Sequence, residues 1–177
     1  MFSKPRQLDS GSALHDAAVR ALMRRAYSVH EMKQHLTRRS DNQELIRLVI
    51  ELLKREGHLD DERYAKQFTR QRTEIRRQGK YRIARDLRAR GVPDRHIEAA
   101  LAESAAETDE AAVVRQRLER KLRSFRGPEA QKKINDNKIA SMYRSLLRAG
   151  FSADVVRREL KAITREEVPD ADSSSEE

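Results

Sequence analysis

Three times along this 177-residue chain the same five-position pattern recurs. Met32, Leu36, Ser40, Ile46 and Ile50 form the first copy, and Ile83, Leu87, Gly91, Ile97 and Leu101 the second. Met142, Leu146, Gly150, Val156 and Leu160 complete the set. Inside every copy the steps are four, four, six and four residues. A step of four keeps apolar side chains on one stripe of an α-helix, because about 3.6 residues make a turn. The small residue in the middle marks where one helix stops and the next begins. Such spacing predicts an all-α fold built as a tandem array, in which stripes are buried by stacking. Arrays of that kind are usually elongated binding surfaces rather than enzymes.

Cap and break residues set the expected units at 13–58, 59–105 and 106–165, each with three helices. The offset between copies grows from 51 to 59 residues, so extra chain is expected between Phe125 and Lys138. In the first unit a helix is expected over 13–25. Ser28-Val29-His30-Glu31 matches a capping box, and Asp41 to Glu44 repeats the capping logic. Gly57 suits the left-handed residue past a helix end. Asp60 is a good N-cap, with Asp61 and Glu62 complementing the positive end of the helix dipole. Tyr64, Phe68 and Ile75 are expected on one stripe, Gly79 as a helix breaker and Pro93 in a first turn. Thr108 and Ser152 can cap the outer helices of the third unit, and Gly127-Pro128 is expected to end the first of them. A flexible lead-in is expected at 1–12 and a disordered acidic tail at 166–177.

Charge is the second constraint. The chain carries a formal +9, yet the last twelve residues hold six acids and no Lys or Arg. Without them residues 1–165 carry +15. A helical body that basic expects a polyanion, either nucleic acid or a protein bound to it. Three basic clusters stand out: Arg24 and Arg25; Arg76 and Arg77 with Lys80 and Arg82; and Arg120, Lys121, Arg123 and Arg126 with Lys132 and Lys133. Each falls at the end of a unit's first helix, so repetition would place them along one edge as a basic stripe. The bland alternative is that each cluster complements the negative end of its own helix.

Other chemistry is poorly supported. Without Cys there are no disulfides, thiolate metal sites or thiol catalysis. The five His are scattered, and His30 and His35 miss the i, i+4 spacing that aligns two ligands. Asp60-Asp61 has no third ligand at useful spacing and reads as a cap. With no Trp, four Phe and four Tyr, no base-stacking platform is apparent. No apolar run approaches the roughly 18 residues of a membrane span, and no signal-peptide pattern opens the chain. A cytoplasmic, cofactor-free, metal-free, monomeric non-enzyme is expected.

Several segments resemble the bacterial RecX regulatory proteins. Arg24 to Met32 resembles their basic, Ser-x-x-Glu-apolar opening. Gly57-His58-Leu59-Asp60-Asp61-Glu62-Arg63-Tyr64-Ala65 resembles the family's most recognisable run, and Gly79 to Ile83 with Gly91-Val92-Pro93 its next landmarks. The likeness covers roughly 14–164, specific in the first two units and loose in the third. It departs at Met32, where Leu is more typical, and at Ser40, where Gly is. The resemblance implies three tandem three-helix repeats in an elongated, curved molecule. It also implies a modulator that binds RecA filaments on single-stranded DNA and suppresses recombinase, ATPase and co-protease activity in recombination, DNA repair and the SOS response. Non-specific DNA contact accompanies that reading. Two rivals are a helix-turn-helix DNA-binding protein and a helical scaffold for an acidic protein.

Overall fold

The computed structural model describes residues 8–125 and 136–166. Among them are nine α-helices and no strand: α1 (Gly11–Leu22), α2 (Val29–Thr37), α3 (Gln43–Arg55), α4 (Asp61–Glu74), α5 (Lys80–Arg88), α6 (Asp94–Glu107), α7 (Glu110–Phe125), α8 (Asp136–Arg148) and α9 (Ala153–Glu166). No helix among these residues is long and apolar enough to cross a membrane. The recurring pattern is the core: every apolar position in it is buried except Leu101, which is half-buried.

Helix ends follow the local chemistry of their residues. Ser28 and Glu31 form the capping box that opens α2. Asp60 accepts the Arg63 amide at the start of α4, 3.0 Å away. Gly57, Gly91 and Gly150 all adopt positive φ, at 72°, 70° and 90°. At each, the next amide returns to the carbonyl five residues back, and the glycine amide to the one three back. This arrangement closes the last helical turn and needs a left-handed residue. Ser40 closes the equivalent turn differently: its amide and that of Arg39 share the Leu36 carbonyl. No left-handed residue is used there.

Five local expectations are corrected. Helix α1 starts at Gly11, capped by Ser10, and ends at Leu22. Ile75 lies past the end of α4 and is 74% exposed, while Ala65 and Thr69 join Tyr64 on the buried stripe. The residue that turns the chain after α4 is Arg77, at φ 48°, and not Gly79. Pro93 occupies the N-cap position of α6, its carbonyl accepting the Ile97 amide. Asp109 caps α7 in place of Thr108, because the Thr108 amide still closes the last turn of α6 on Ser104. The Gly127-Pro128 stop, residues 1–7 and the acidic tail beyond Glu166 lie outside the described residues.

Packing groups the chain into two compact units. The first takes in residues 8–71 and 84–102, and the second residues 72–83, 103–125 and 136–166, so α4, α5 and α6 each contribute to both. In the first unit α1, α2 and α3 pack pairwise around Leu14, Met32, Leu36, Ile46 and Leu53, all fully buried. In the second, α7 and α8 pack on α9 around Val114, Leu118, Met142 and Val156.

Glu31 ties the first unit together. Its carboxylate accepts from the Ser28 amide, from Arg25 and Tyr64, and from Arg90 at 2.7 Å. Burial pushes its pKa up, but the hydrogen bonds from Ser28 and Arg25, with the charges of Arg25 and Arg90, outweigh that and hold it below the usual glutamate range. A lowered native pKa adds stability above the unfolded value, about 4.3, which is lost as pH falls through the native one. Glu31→Gln is therefore expected to be about 1–3 kcal/mol less stable at neutral pH. It should also lose less stability than wild type on acidification from about pH 5 to about pH 3. Thermal melts followed by circular dichroism check both, and identical acid profiles would contradict the assignment.

Candidate polyanion interface

The basic clusters meet different fates once folded. In the first unit, Arg24 is exposed just past α1. Arg25 is engaged: it donates to the Ala26 carbonyl and to Glu31, and its guanidinium lies 3.7 Å from the Tyr27 ring centroid. Much of its charge therefore serves the fold.

In the second unit the cations converge. Arg77 sits in the left-handed region, where a non-glycine residue costs on the order of 1–2 kcal/mol. Contacts with α7 hold it there: its guanidinium donates to the Gln116 side-chain oxygen, and its carbonyl accepts from Arg117 at 3.1 Å. Arg82, half-buried in α5, reaches the Arg148 carbonyl at 3.5 Å. Arg117 lies at the centre. Burial lowers its pKa first, and the neighbouring guanidinia of Arg120, Arg77 and Arg82 push it the same way. Positive charge here is crowded against positive charge, and an arriving anion relieves that repulsion.

Helices α7 and α8 border a cleft of about 280 Å³ beside this cluster. Leu118, Met142 and Leu146 line it together with Arg117, Arg120 and Lys121. Arg117 also lies 5.6 Å from the Phe151 ring centroid, so a ring as well as a carbonyl positions it. Arg76 and Lys80 are exposed nearby in sequence. Arg123 is turned to Glu119, an exposed pair at 3.6 Å that contributes little. Arg126, Lys132 and Lys133 lie outside the described residues.

Arg117 itself is absent from the expected clusters, which are runs of neighbouring cations along the sequence. The signal was helical rather than linear: Arg117, Arg120 and Lys121 stand three and four apart, on one face of α7.

A larger cleft, about 680 Å³, lies in the first unit and is lined by Gly57, Leu59, Asp60, Asp61, Gly91 and Pro93, among others. Its charge is mixed, since Lys33, Lys54 and Arg95 line it together with the two aspartates. The two aspartates also have structural tasks. Asp60 caps α4, and Asp61 accepts the Val29 amide at 2.9 Å, satisfying an orphan donor at the start of α2. Arg63 donates to the Gly57 carbonyl rather than pairing with Asp60. Among the described residues no three His, Cys, Asp or Glu come together as metal ligands.

Comparison with known proteins shows what the chain is similar to. A family model described as the RecX second three-helix domain matches residues 60–101. The regulatory protein RecX of Halorhodospira halophila is 37% identical over 148 residues, covering 84% of this chain and 86% of the relative. That of Trichlorobacter lovleyi is 32% identical over 145 residues, covering 80% and 90%. Among solved structures, the crystal structure of RecX from Lactobacillus salivarius superposes with a TM-score of 0.71 at 21% identity, over 86% of this chain and 96% of that one.

Proposed function

The chain belongs to the RecX family, and from that membership we propose that it binds RecA filaments on single-stranded DNA and inhibits RecA. Recombinase, ATPase and co-protease activities are all restrained by occupancy of the filament, in the bacterial cytoplasm where recombination, repair and the SOS response proceed. The observation that carries this reading is the crowded cation cluster of the second unit, where Arg117 is flanked by Arg77, Arg82 and Arg120. A surface that repels itself in the free protein gains most from a polyanion, and a nucleoprotein filament presents one repeatedly. Arg24 and Arg25 are the first unit's candidates for the same task.

The mechanism is steric and electrostatic. Binding energy is spread over a surface, with no cofactor and no bond made or broken. The test is RecA's single-strand-dependent ATPase, measured while this protein is titrated in, with DNA binding measured alone in parallel. Inhibition at concentrations that leave naked DNA largely free supports filament regulation. Inhibition only when the DNA is saturated reduces the protein to a competitor for DNA, and no inhibition at all refutes the reading.

A further inference from the structure

We propose that Tyr81 is a base-stacking residue that makes the second unit's basic cluster selective for unstacked, single-stranded nucleic acid. The inference rests on the reading that this unit contacts nucleic acid, and adds what kind of strand it takes.

Four observations carry it. The first is exposure: Tyr81 is 60% exposed, whereas the other described aromatic side chains are packed. Tyr27 and Tyr143 lie against the two cores, Tyr64 is buried and stacked on Phe68, and Phe151 is buried. The remaining large exposed apolar residues are aliphatic (Met23, Leu48, Ile75 and Leu147). A lone exposed tyrosine is ordinary on a protein surface, so exposure is not enough.

The second is rigidity. Tyr81 stands in the first turn of α5, and that turn is pinned to the chain just after α8. The Gly79 amide donates to the Ala149 carbonyl at 2.9 Å, and the Tyr81 amide to the Gly150 carbonyl at 3.1 Å. A ring on a fixed backbone has less freedom to lose when a base settles on it.

Charge is the third. Arg76, Arg77, Lys80 and Arg82 surround Tyr81 in sequence, and the nearest acids are Glu74 and Asp86. The Lys80 ammonium lies 5.4 Å from the ring centroid, within reach of cation–π attraction. Aromatic rings set in a cationic groove are the general solution for holding single strands, because every base offers a π-face while the cations track the phosphates. The fourth observation removes a competitor. The Tyr81, Arg82 and Ile83 amides in the first turn of α5 are already bonded to the Gly150 and Gly79 carbonyls, which leaves phosphates to be met chiefly by side chains. A duplex keeps its bases stacked on one another and offers Tyr81 no free face without extrusion.

The experiment is fluorescence anisotropy with the full chain, a fluorescein-labelled oligothymidylate and a labelled duplex of equal length, over a range of salt. Tyr81→Ala is expected to weaken single-strand binding about tenfold, within the range that loss of one stacked base produces. Duplex affinity and the log–log salt slope should match wild type, because no charge has changed. Tyr81→Phe, which keeps the ring, should bind the single strand as wild type does. Lys80→Ala with Arg82→Ala should weaken both strands and flatten both slopes. Equal affinity of Tyr81→Ala and wild type for the single strand, or an equal loss on single strand and duplex, overturns the stacking role alone. Failure of wild type to bind either nucleic acid overturns the nucleic-acid reading with it.

Discussion

Gly79→Ala is expected to unfold roughly 6–12 °C below wild type, corresponding to about 3 kcal/mol in a chain of this size. Gly79 is buried, and a Cβ placed on it would overlap the Gly150 carbonyl and the Phe151 amide. Those are backbone atoms, so no side chain can swing aside. Relief requires separating the two strands of chain that meet there, which breaks the bonds from Gly79 to Ala149 and from Tyr81 to Gly150. Gly150 cannot easily yield, because its own φ of 90° completes the turn that closes α8. Gly57→Ala provides the contrast. It also holds a positive φ, but beyond its own chain neighbours nothing lies within 4 Å of the added methyl group. Its cost is the left-handed conformation alone, about 1–2 kcal/mol. Melting both variants by circular dichroism separates steric from conformational cost, and a Gly79→Ala midpoint no lower than that of Gly57→Ala would disprove the clash.

Lys80→Glu combined with Arg120→Glu should reduce single-strand affinity about a hundredfold and flatten its log–log salt slope by roughly 1.4, at about 0.7 per phosphate contact. Inhibition of RecA should fall with it. Both side chains are exposed, so the fold is not at risk from lost packing. Stability should hold or rise, since Arg120 is the charge that presses most on Arg117 and its reversal replaces repulsion by attraction. A surface whose charge opposes folding but serves binding shows this combination, whereas a solvated helix face shows neither effect. Unchanged DNA affinity and undiminished RecA inhibition in the folded double variant would remove the cluster from the mechanism.

Acidification offers an independent probe of the first unit. Burial, then the charges of Arg39, Arg38 and Arg25, hold the His35 imidazole below its usual range. Protonation therefore opposes folding, and the stability contributed by neutral His35 is lost as pH falls from about 6.5 through the lower native value. His35→Phe is expected to flatten that part of the profile, leaving the Glu31 stage below it. A melting profile between about pH 7 and about pH 5 that is the same in both proteins would show that His35 does not titrate with folding.

Much of the fold was legible because its signals are local. A capping box spans four residues, and a helix-closing glycine turns the chain back onto carbonyls three and four residues before it. The apolar stripe repeats within single helices, so Met32, Leu36, Ile83, Leu87, Met142 and Leu146 could be read as core. Errors came where two local rules competed. Gly79 and Arg77 both stand near the end of α4, and intrinsic preference favoured the glycine. Contacts with Gln116 and Arg117 hold the arginine in the left-handed turn instead, and the glycine is spent on close approach to Gly150.

From the chain alone follow an all-α repeat, the helix caps at Ser28 and Asp60, the turns at Gly57, Gly91 and Gly150, and an excess of positive charge that calls for an anionic partner. Each depends on residues within a turn or two of one another, or on composition, which no folding step can change. Folding decided which cations matter and what surrounds them. Arg117 joins Arg77 and Arg82 across some 35 to 40 positions of sequence, Asp61 serves the start of α2, and Tyr81 is left facing solvent while the other described tyrosines are packed. Such pairings are set by which helix faces meet, and electrostatic coupling and exposure depend on distance in space rather than separation along the chain.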